Sequence, residues 1–161
     1  MNMNEYKFFI YARKSSESED RQALSLDSQL SVLNEIVKSR GYAIVEVFEE
    51  SKSAKQPGRP VFDTMIRRIE KGDANALLVW NPNRLSRNSV DTGRLIYLFD
   101  TKTLATIVTP YQIFTNTPND KFILGILWSQ AKLENDGKSE DVKRGLNTKV
   151  EMGWYPYRAI N

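Results

Sequence analysis

The chain has 161 residues, which fits one domain large enough to bury a core without disulfide or metal staples. It has no cysteine and no histidine, which excludes a cysteine nucleophile, a zinc site built on those residues and a Ser-His-Asp triad. The net charge is only +3, but segments 51–60 and 81–90 hold three and two basic residues and no acidic ones. This distribution suggests a polyanion site, although two solvated loops would carry the same charges.

Strand and helix signals alternate along the chain. Short apolar or β-branched runs predict strands over 7–13, 43–49, 76–80 and 104–109. Apolar residues at helical spacing predict helices after the caps Ser25 and Ser89, from Pro60 to Gly72, and from Asp120 onward behind Thr117. This alternation predicts an α/β fold with a mainly parallel sheet of about four to five strands, flanked by helices and followed by a long C-terminal helix.

The domain organisation follows from where this alternation stops. Residues 1–118 form the predicted α/β core, 119–150 the long helix, and 151–161 the start of a linker. Apolar positions become sparse past Asp141, as expected for a helix that packs against something outside this chain. Two interpretations remain open, a complete small domain with a frayed tail or the front part of a longer protein.

Targeting and membrane signals are absent from the sequence. The apolar run near the start is too short for a signal-peptide core. The longest apolar run, 122–128, is far shorter than the ~20 residues of a membrane span. We therefore expect a soluble, cytoplasmic protein without a membrane partner.

The residues with chemical potential follow the predicted strands. Ligands of open α/β sheets gather at the carboxyl ends of the strands, here the loops 14–25, 50–59, 81–88 and 110–116. The first three of these loops, with the strand end before them, bring a hydroxyl and four guanidinium groups toward one edge: Ser15, Arg13, Arg59, Arg84 and Arg87. Guanidinium groups bind phosphate oxygens in a bidentate geometry, and a serine can act as a nucleophile. As groups on exposed loops, these arginines are expected to contribute little to stability.

Four motifs then resemble one family, the serine recombinases, which include the resolvases and invertases. They are Tyr11-Ala12-Arg13-Lys14-Ser15, Ser25-Leu26-Asp27-Ser28-Gln29, Gly58-Arg59-Pro60-Val61-Phe62 and Asn83-Arg84-Leu85-Ser86-Arg87. The segment from Gly145 to Pro156 is similar to the junction between the catalytic domain and the DNA-binding region of the large serine recombinases, the integrase and transposon type. The motifs cover nearly the whole chain in the family's order.

The resemblance implies a site-specific recombinase that cleaves and rejoins DNA without a metal or cofactor. Ser15 is the implied nucleophile, which becomes linked to a 5′ phosphate. Arg13, Arg59, Arg84 and Arg87 are implied to bind the scissile phosphate. Gln29, Ser53 and Asn83 occupy supporting positions, although the family usually has Asp where this chain has Asn83. The implied partners are DNA and further subunits, paired as dimers and tetramers through the long helix, with DNA-binding domains outside this chain.

Other interpretations stay open at this stage. A non-catalytic α/β module could hold a phosphate ligand with the same arginines, although neither common glycine-rich phosphate loop occurs in the chain. A metal-dependent nuclease would need clustered carboxylates, for which Glu49 and Glu50 are the one pair at a predicted strand end. Ser16 competes with Ser15 as the nucleophile, since neighbouring residues of an extended strand point to opposite sides. The sequence leaves open both the DNA target and the outcome, whether integration, excision, resolution or transposition.

Overall fold

A computed structural model describes residues 5–14 and 25–152 of the chain. These residues form one mixed sheet with helices on both faces. The strands are β1 (Lys7–Arg13), β2 (Ala43–Glu50), β3 (Ala76–Val79), β4 (Thr106–Val108) and β5 (Ile113–Thr115). The helices are α1 (Leu26–Arg40), α2 (Pro60–Glu70), α3 (Ser89–Asp100) and α4 (Pro118–Glu151), and a 3₁₀ turn spans Pro82–Arg84.

The sheet has the strand order β2-β1-β3-β4-β5. Its first four strands are parallel, and β5 pairs with β4 in the antiparallel direction. The predicted α/β class with a mainly parallel sheet is therefore confirmed. The prediction of loop structure throughout 110–116 was wrong, because Ile113–Thr115 forms the edge strand β5.

The two central strands explain why the sheet is so apolar. Every residue of β3 is buried, and only Lys7 of β1 is exposed. Phe9 and Tyr11 belong to a core cluster with residues of α2, α3 and α4, whereas Phe8 and Ile10 belong to a second cluster with Leu33 of α1. Alternate residues of β1 thus face opposite layers, as the two-residue period of a strand requires.

Local capping signals set most helix boundaries. The Ser25 hydroxyl accepts a hydrogen bond from the Ser28 amide, and Gly41 ends α1 with φ of 67°, a conformation that favours glycine. Helix α3 differs from the prediction, because Asn88 caps it and Ser89 is its first residue. The Asn88 side chain accepts from the Asp91 amide and so satisfies one of the open donors of the first turn.

Helix α4 is 34 residues long, and only its first part packs on the sheet domain. Leu124, Trp128 and Ala131 are buried, whereas Val142 and Leu146 are exposed. Among the described residues, no helix is both long enough and apolar enough to cross a membrane. Beyond Ala131, the side chains of α4 that the structure describes are exposed.

Candidate active site

Four arginines meet at the carboxyl edge of the sheet, as the sequence predicts. Arg13 ends β1, Arg84 ends the turn after β3, and Arg59 immediately precedes α2. Nη1 of Arg59 lies 3.4 Å from the carbonyl oxygen of Arg84. The charges of Arg87, Arg84 and Arg59 all act on Arg13, which places the four groups in one cluster. Ser15 and Ser16 lie outside the described residues.

The arginines are not the exposed loop charges that the sequence suggests. Arg13, Arg59 and Arg84 are 0%, 1% and 4% exposed, and Arg87 is half-buried. The prediction that these arginines lie exposed was therefore wrong for the buried members, and burial removes the ground for expecting little effect of their removal on stability. A loop position gives no local signal of burial, because tertiary contacts from distant segments cover these side chains.

Arg13 leaves more of its hydrogen-bonding capacity unused than Arg59 does. Its Nη1 donates to the carbonyl of Lys14 at 3.0 Å, whereas Nε and Nη2 are buried without a hydrogen-bond partner among the described residues. Burial, reinforced by the charges of Arg87 and Arg84, lowers the pKa of Arg13 to about 9. The group still carries its proton at neutral pH, so an anion that reaches it gains two donors and relieves the repulsion.

Both terminal nitrogens of Arg59, in contrast, already donate to protein groups, and only its Nε is buried without a partner among the described residues. Its Nη1 donates to the Tyr11 hydroxyl at 2.9 Å, and Nη2 donates to the Leu85 carbonyl and to Asp91 at 2.9 Å. Its guanidinium lies 3.9 Å from the ring centre of Phe62. Burial also raises the pKa of Tyr11, which keeps that hydroxyl neutral. Arg59 thus joins β1, α2, α3 and the turn that follows β3.

A second set of contacts, which the sequence did not single out, locks the arginine loops together. Nδ2 of Asn88 donates to Asp91 at 2.8 Å and to the Ala54 carbonyl at 3.0 Å. The Arg87 amide donates to the same carbonyl at 3.2 Å. Asn88 and Asp91 therefore tie the loop before α2 to the loop before α3. Their three-residue spacing at a helix start was the available sequence signal.

Glu50 holds the start of α2. One carboxylate oxygen accepts from the amides of Val61 and Phe62 at 3.1 and 3.3 Å, and the other accepts from the Lys52 amide. Glu50 is buried while Glu49 is exposed, so the two carboxylates do not form a pair. In the part of the chain that the structure describes, no three Asp or Glu residues gather as a metal site would require.

The predicted supporting residues lie around the arginines. Gln29 is fully buried and donates through Nε2 to the Arg13 carbonyl at 3.3 Å. The Ser53 hydroxyl accepts from the Lys55 amide, and both residues line a cleft of about 430 Å³ that Arg59 borders. The backbone amide of Asn83 donates to the Asn81 side chain at 2.9 Å. Oδ1 of Asn83 is buried without a hydrogen-bond partner among residues 5–14 and 25–152.

A comparison with known protein families finds a match over most of the chain. The family model described as "Resolvase, N terminal domain" matches residues 8–155. The chain belongs to the resolvase family. It is accordingly the catalytic domain of a serine recombinase, and the family acts on DNA.

Two curated relatives of the chain are resolvases of transposons. The Tn917 resolvase of Enterococcus faecalis is 29% identical over 86% of this chain and 68% of its own length. The Tn3 resolvase of Escherichia coli is 27% identical over 87% of this chain and 74% of its own length.

Solved structures share the fold. The N-terminal catalytic domain of TP901-1 integrase is 20% identical, with a TM-score of 0.60 over 81% of this chain and 97% of that one. A resolvase family site-specific recombinase from Streptococcus pneumoniae is 19% identical, with a TM-score of 0.57 over 91% of this chain and 99% of that one. At these identities the likeness concerns the fold alone.

Proposed function

We propose that this resolvase-family domain carries out site-specific DNA recombination through a covalent phosphoserine intermediate at Ser15. The Ser15 hydroxyl attacks the scissile phosphorus and gives up its proton, and the bond to the 3′ oxygen breaks as that oxygen takes up a proton. A 3′ hydroxyl of the exchanged strand later attacks the phosphoserine and releases the serine. Each step exchanges one phosphate ester for another, so neither an energy source nor a metal is needed.

The observation that carries this proposal is the state of Arg13. Two of its donors are buried without an acceptor among the described residues, while Arg84 and Arg87 add positive charge beside it. A guanidinium that donates two hydrogen bonds to a phosphate stabilises the extra negative charge of the phosphoryl transition state. The serine that follows Arg13 by two residues is close in the chain to this anion site.

The arginines divide into two groups under this proposal. Arg13, Arg84 and Arg87 contact the scissile phosphate. Arg59 was inferred from the sequence as a fourth phosphate ligand, but its bonds to Tyr11 and Asp91 favour a bracing role. Gln29, Ser53 and Asn83 support the cluster, Gln29 through the Arg13 carbonyl and Ser53 at the cleft beside Arg59.

We also propose that the domain associates with further copies of itself and that another region of the protein recognises the DNA sequence. Phe122, Ile126 and Leu133 are exposed on α4 and line an apolar groove of about 460 Å³. We assign this groove, the α4 stripe, to a second copy of the chain in a dimer or tetramer. Sequence-specific DNA recognition belongs to a region outside these 161 residues, in keeping with the 68% and 74% of the two transposon resolvases that the chain spans.

A covalent adduct is the test that separates this function from its alternatives. The full-length protein is incubated with a random-sequence library of nicked duplexes, in which cleavage opposite the nick cannot be reversed. We expect protein that stays on DNA 5′ ends in detergent, in equal yield with and without a chelator. A non-catalytic phosphate-binding module gives no adduct, and a nuclease of the metal-dependent class loses its cleavage when the chelator is present.

A further inference from the structure

Trp128 connects the long helix to the arginine cluster. Its side chain is 1% exposed in the core beneath α4, and its Nε1 donates a hydrogen bond of 2.9 Å to the carbonyl oxygen of Pro82. Pro82 begins the 3₁₀ turn that ends with Arg84. The contact crosses 46 positions of sequence, so no local pattern reveals it.

The carbonyl that Trp128 holds is the one that closes this turn. The Leu85 amide donates to the same Pro82 oxygen at 2.9 Å, and the Arg84 amide donates to the Asn81 carbonyl at 2.9 Å. A carbonyl oxygen has two lone pairs, and here both are used. The indole therefore fixes the orientation of the Pro82–Asn83 peptide, which lies in the same short turn as Arg84.

A second contact from α4 lies one helical turn further along. Nζ of Lys132 donates to the Ser89 hydroxyl at 3.0 Å, at the start of α3. Helix α4 thus contacts both ends of segment 82–89, which carries Arg84 and Arg87. The Lys132 contact is exposed and contributes little, whereas the Trp128 contact is buried and sets the geometry.

We propose that Trp128 is a positioning residue for DNA cleavage: its indole N–H holds the Pro82 carbonyl and thereby sets where the guanidinium groups of Arg84 and Arg87 meet the phosphate. This inference rests on the proposed function. A misplacement of about 1 Å in a group that contacts the transition state can cost ~10²-fold in rate. Loss of the hydrogen bond between Trp128 and Pro82 is thus expected to lower the rate of the chemical step.

The test compares two buried substitutions on the same helix. Trp128→Phe keeps an aromatic ring but deletes the donor, and Leu124→Val trims a fully buried residue of the same core that makes no polar contact. We expect Trp128→Phe to lower the rate of adduct formation at saturating DNA by ~10–100-fold, with DNA affinity unchanged. Leu124→Val keeps the wild-type rate once both proteins are measured well below their unfolding temperatures.

A readout that needs no cleavage separates this inference from the proposed function. Sulfate is titrated into each protein, and binding is followed by the NMR signals of the arginine Nε–H groups. Trp128→Phe should weaken sulfate binding several-fold, and Leu124→Val should not. If the wild type forms no adduct but this difference persists, the recombinase proposal fails while the positioning role stands.

Equal losses in the two variants, or no loss in Trp128→Phe, would overturn the positioning role. Should Trp128→Phe fail to fold, benzothienylalanine at position 128 replaces the N–H by sulfur at nearly constant shape. The same drop in rate and sulfate affinity is expected of that protein, and wild-type values would contradict the inference.

Discussion

Nη2 of Arg59 lies 2.9 Å from Oδ2 of Asp91, and the two side chains are 1% and 0% exposed. Removing one member of a buried ion pair leaves the other as an uncompensated charge, which typically costs ~3–5 kcal/mol. Because Arg59 also bonds Tyr11 and Leu85, the pair connects the start of α2 to α3 beneath the arginine cluster.

Arg59→Ala should therefore lower the free energy of unfolding by about 3–5 kcal/mol, measured by urea denaturation. Asp63→Ala is the matched control, because its partner Arg94 and Asp63 itself are 34% and 30% exposed. Such a pair contributes at most ~1 kcal/mol. Equal stabilities of Arg59→Ala and the wild type would show that Arg59 does not brace the site.

Arg13 carries the opposite expectation for stability. Its charge is buried and only partly hydrogen-bonded, so Arg13→Met should raise the free energy of unfolding by about 1–2 kcal/mol at pH 7. The same variant should lose ~10²–10³-fold in the rate of adduct formation. Thermal unfolding and the adduct assay check the two effects, and a destabilised Arg13→Met would indicate a structural role.

The lowered pKa of Arg13 also predicts a pH dependence. In the folded protein this pKa is about 9, below the ordinary arginine value, so the cost of the buried charge is present below that pH and is relieved as the pH rises through it. Sulfate affinity should follow the charge. It stays constant from about pH 6 to 8 and falls above about pH 9, because sulfate itself keeps its charge throughout.

Arg13→Met is the control for that titration, since its weak sulfate binding should show no step near pH 9. A wild-type affinity that stays flat to pH 10.5 would mean that Arg13 does not face the bound anion.

Asn83 provides a test of proton transfer. An amide cannot exchange a proton as a carboxylic acid can, and the Asn83 backbone is held by Asn81. If residue 83 acts only by hydrogen bonding, Asn83→Asp should change the rate of adduct formation less than about threefold and add no new step to its pH profile. A gain of 100-fold or more would show that this chain lacks an acid it needs.

Much of the fold was predictable from local signals. The Ser25 cap and Gly41 set the ends of α1, and the apolar run 76–80 marked the buried strand β3. The three-residue strand β5 was missed, because its pairing with β4 depends on contacts outside its own sequence. The arginines of the site were likewise predictable from their loops, but their burial was not.

The role of Asp91 shows why the rest was hidden. It lies in the first turn of α3, where an acid is expected in any helix. That it faces Arg59 depends on how α3 packs beside α2, which no local pattern specifies. Trp128 is a similar case, since its aromatic ring predicts burial but not the hydrogen bond to Pro82.

Self-association tests the α4 stripe. Leu127 is half-buried against the core, whereas Ile126 and Leu133 line the exposed groove. Ile126→Glu with Leu133→Glu should convert dimers or larger species to monomers in light scattering without loss of helicity. Val142→Glu, exposed but outside this groove, is the control. A wild type that is monomeric at high concentration would contradict the assignment.

Mapping the covalent bond between DNA and the protein identifies the nucleophilic serine. Adducts trapped on nicked duplexes are digested with protease and nuclease, and mass spectrometry locates the residue that carries the 5′ nucleotide. We predict the nucleotide on Ser15, no adduct from Ser15→Ala, and a retained adduct from Ser16→Ala. A nucleotide on Ser16, or an adduct that survives Ser15→Ala, would contradict the proposed mechanism.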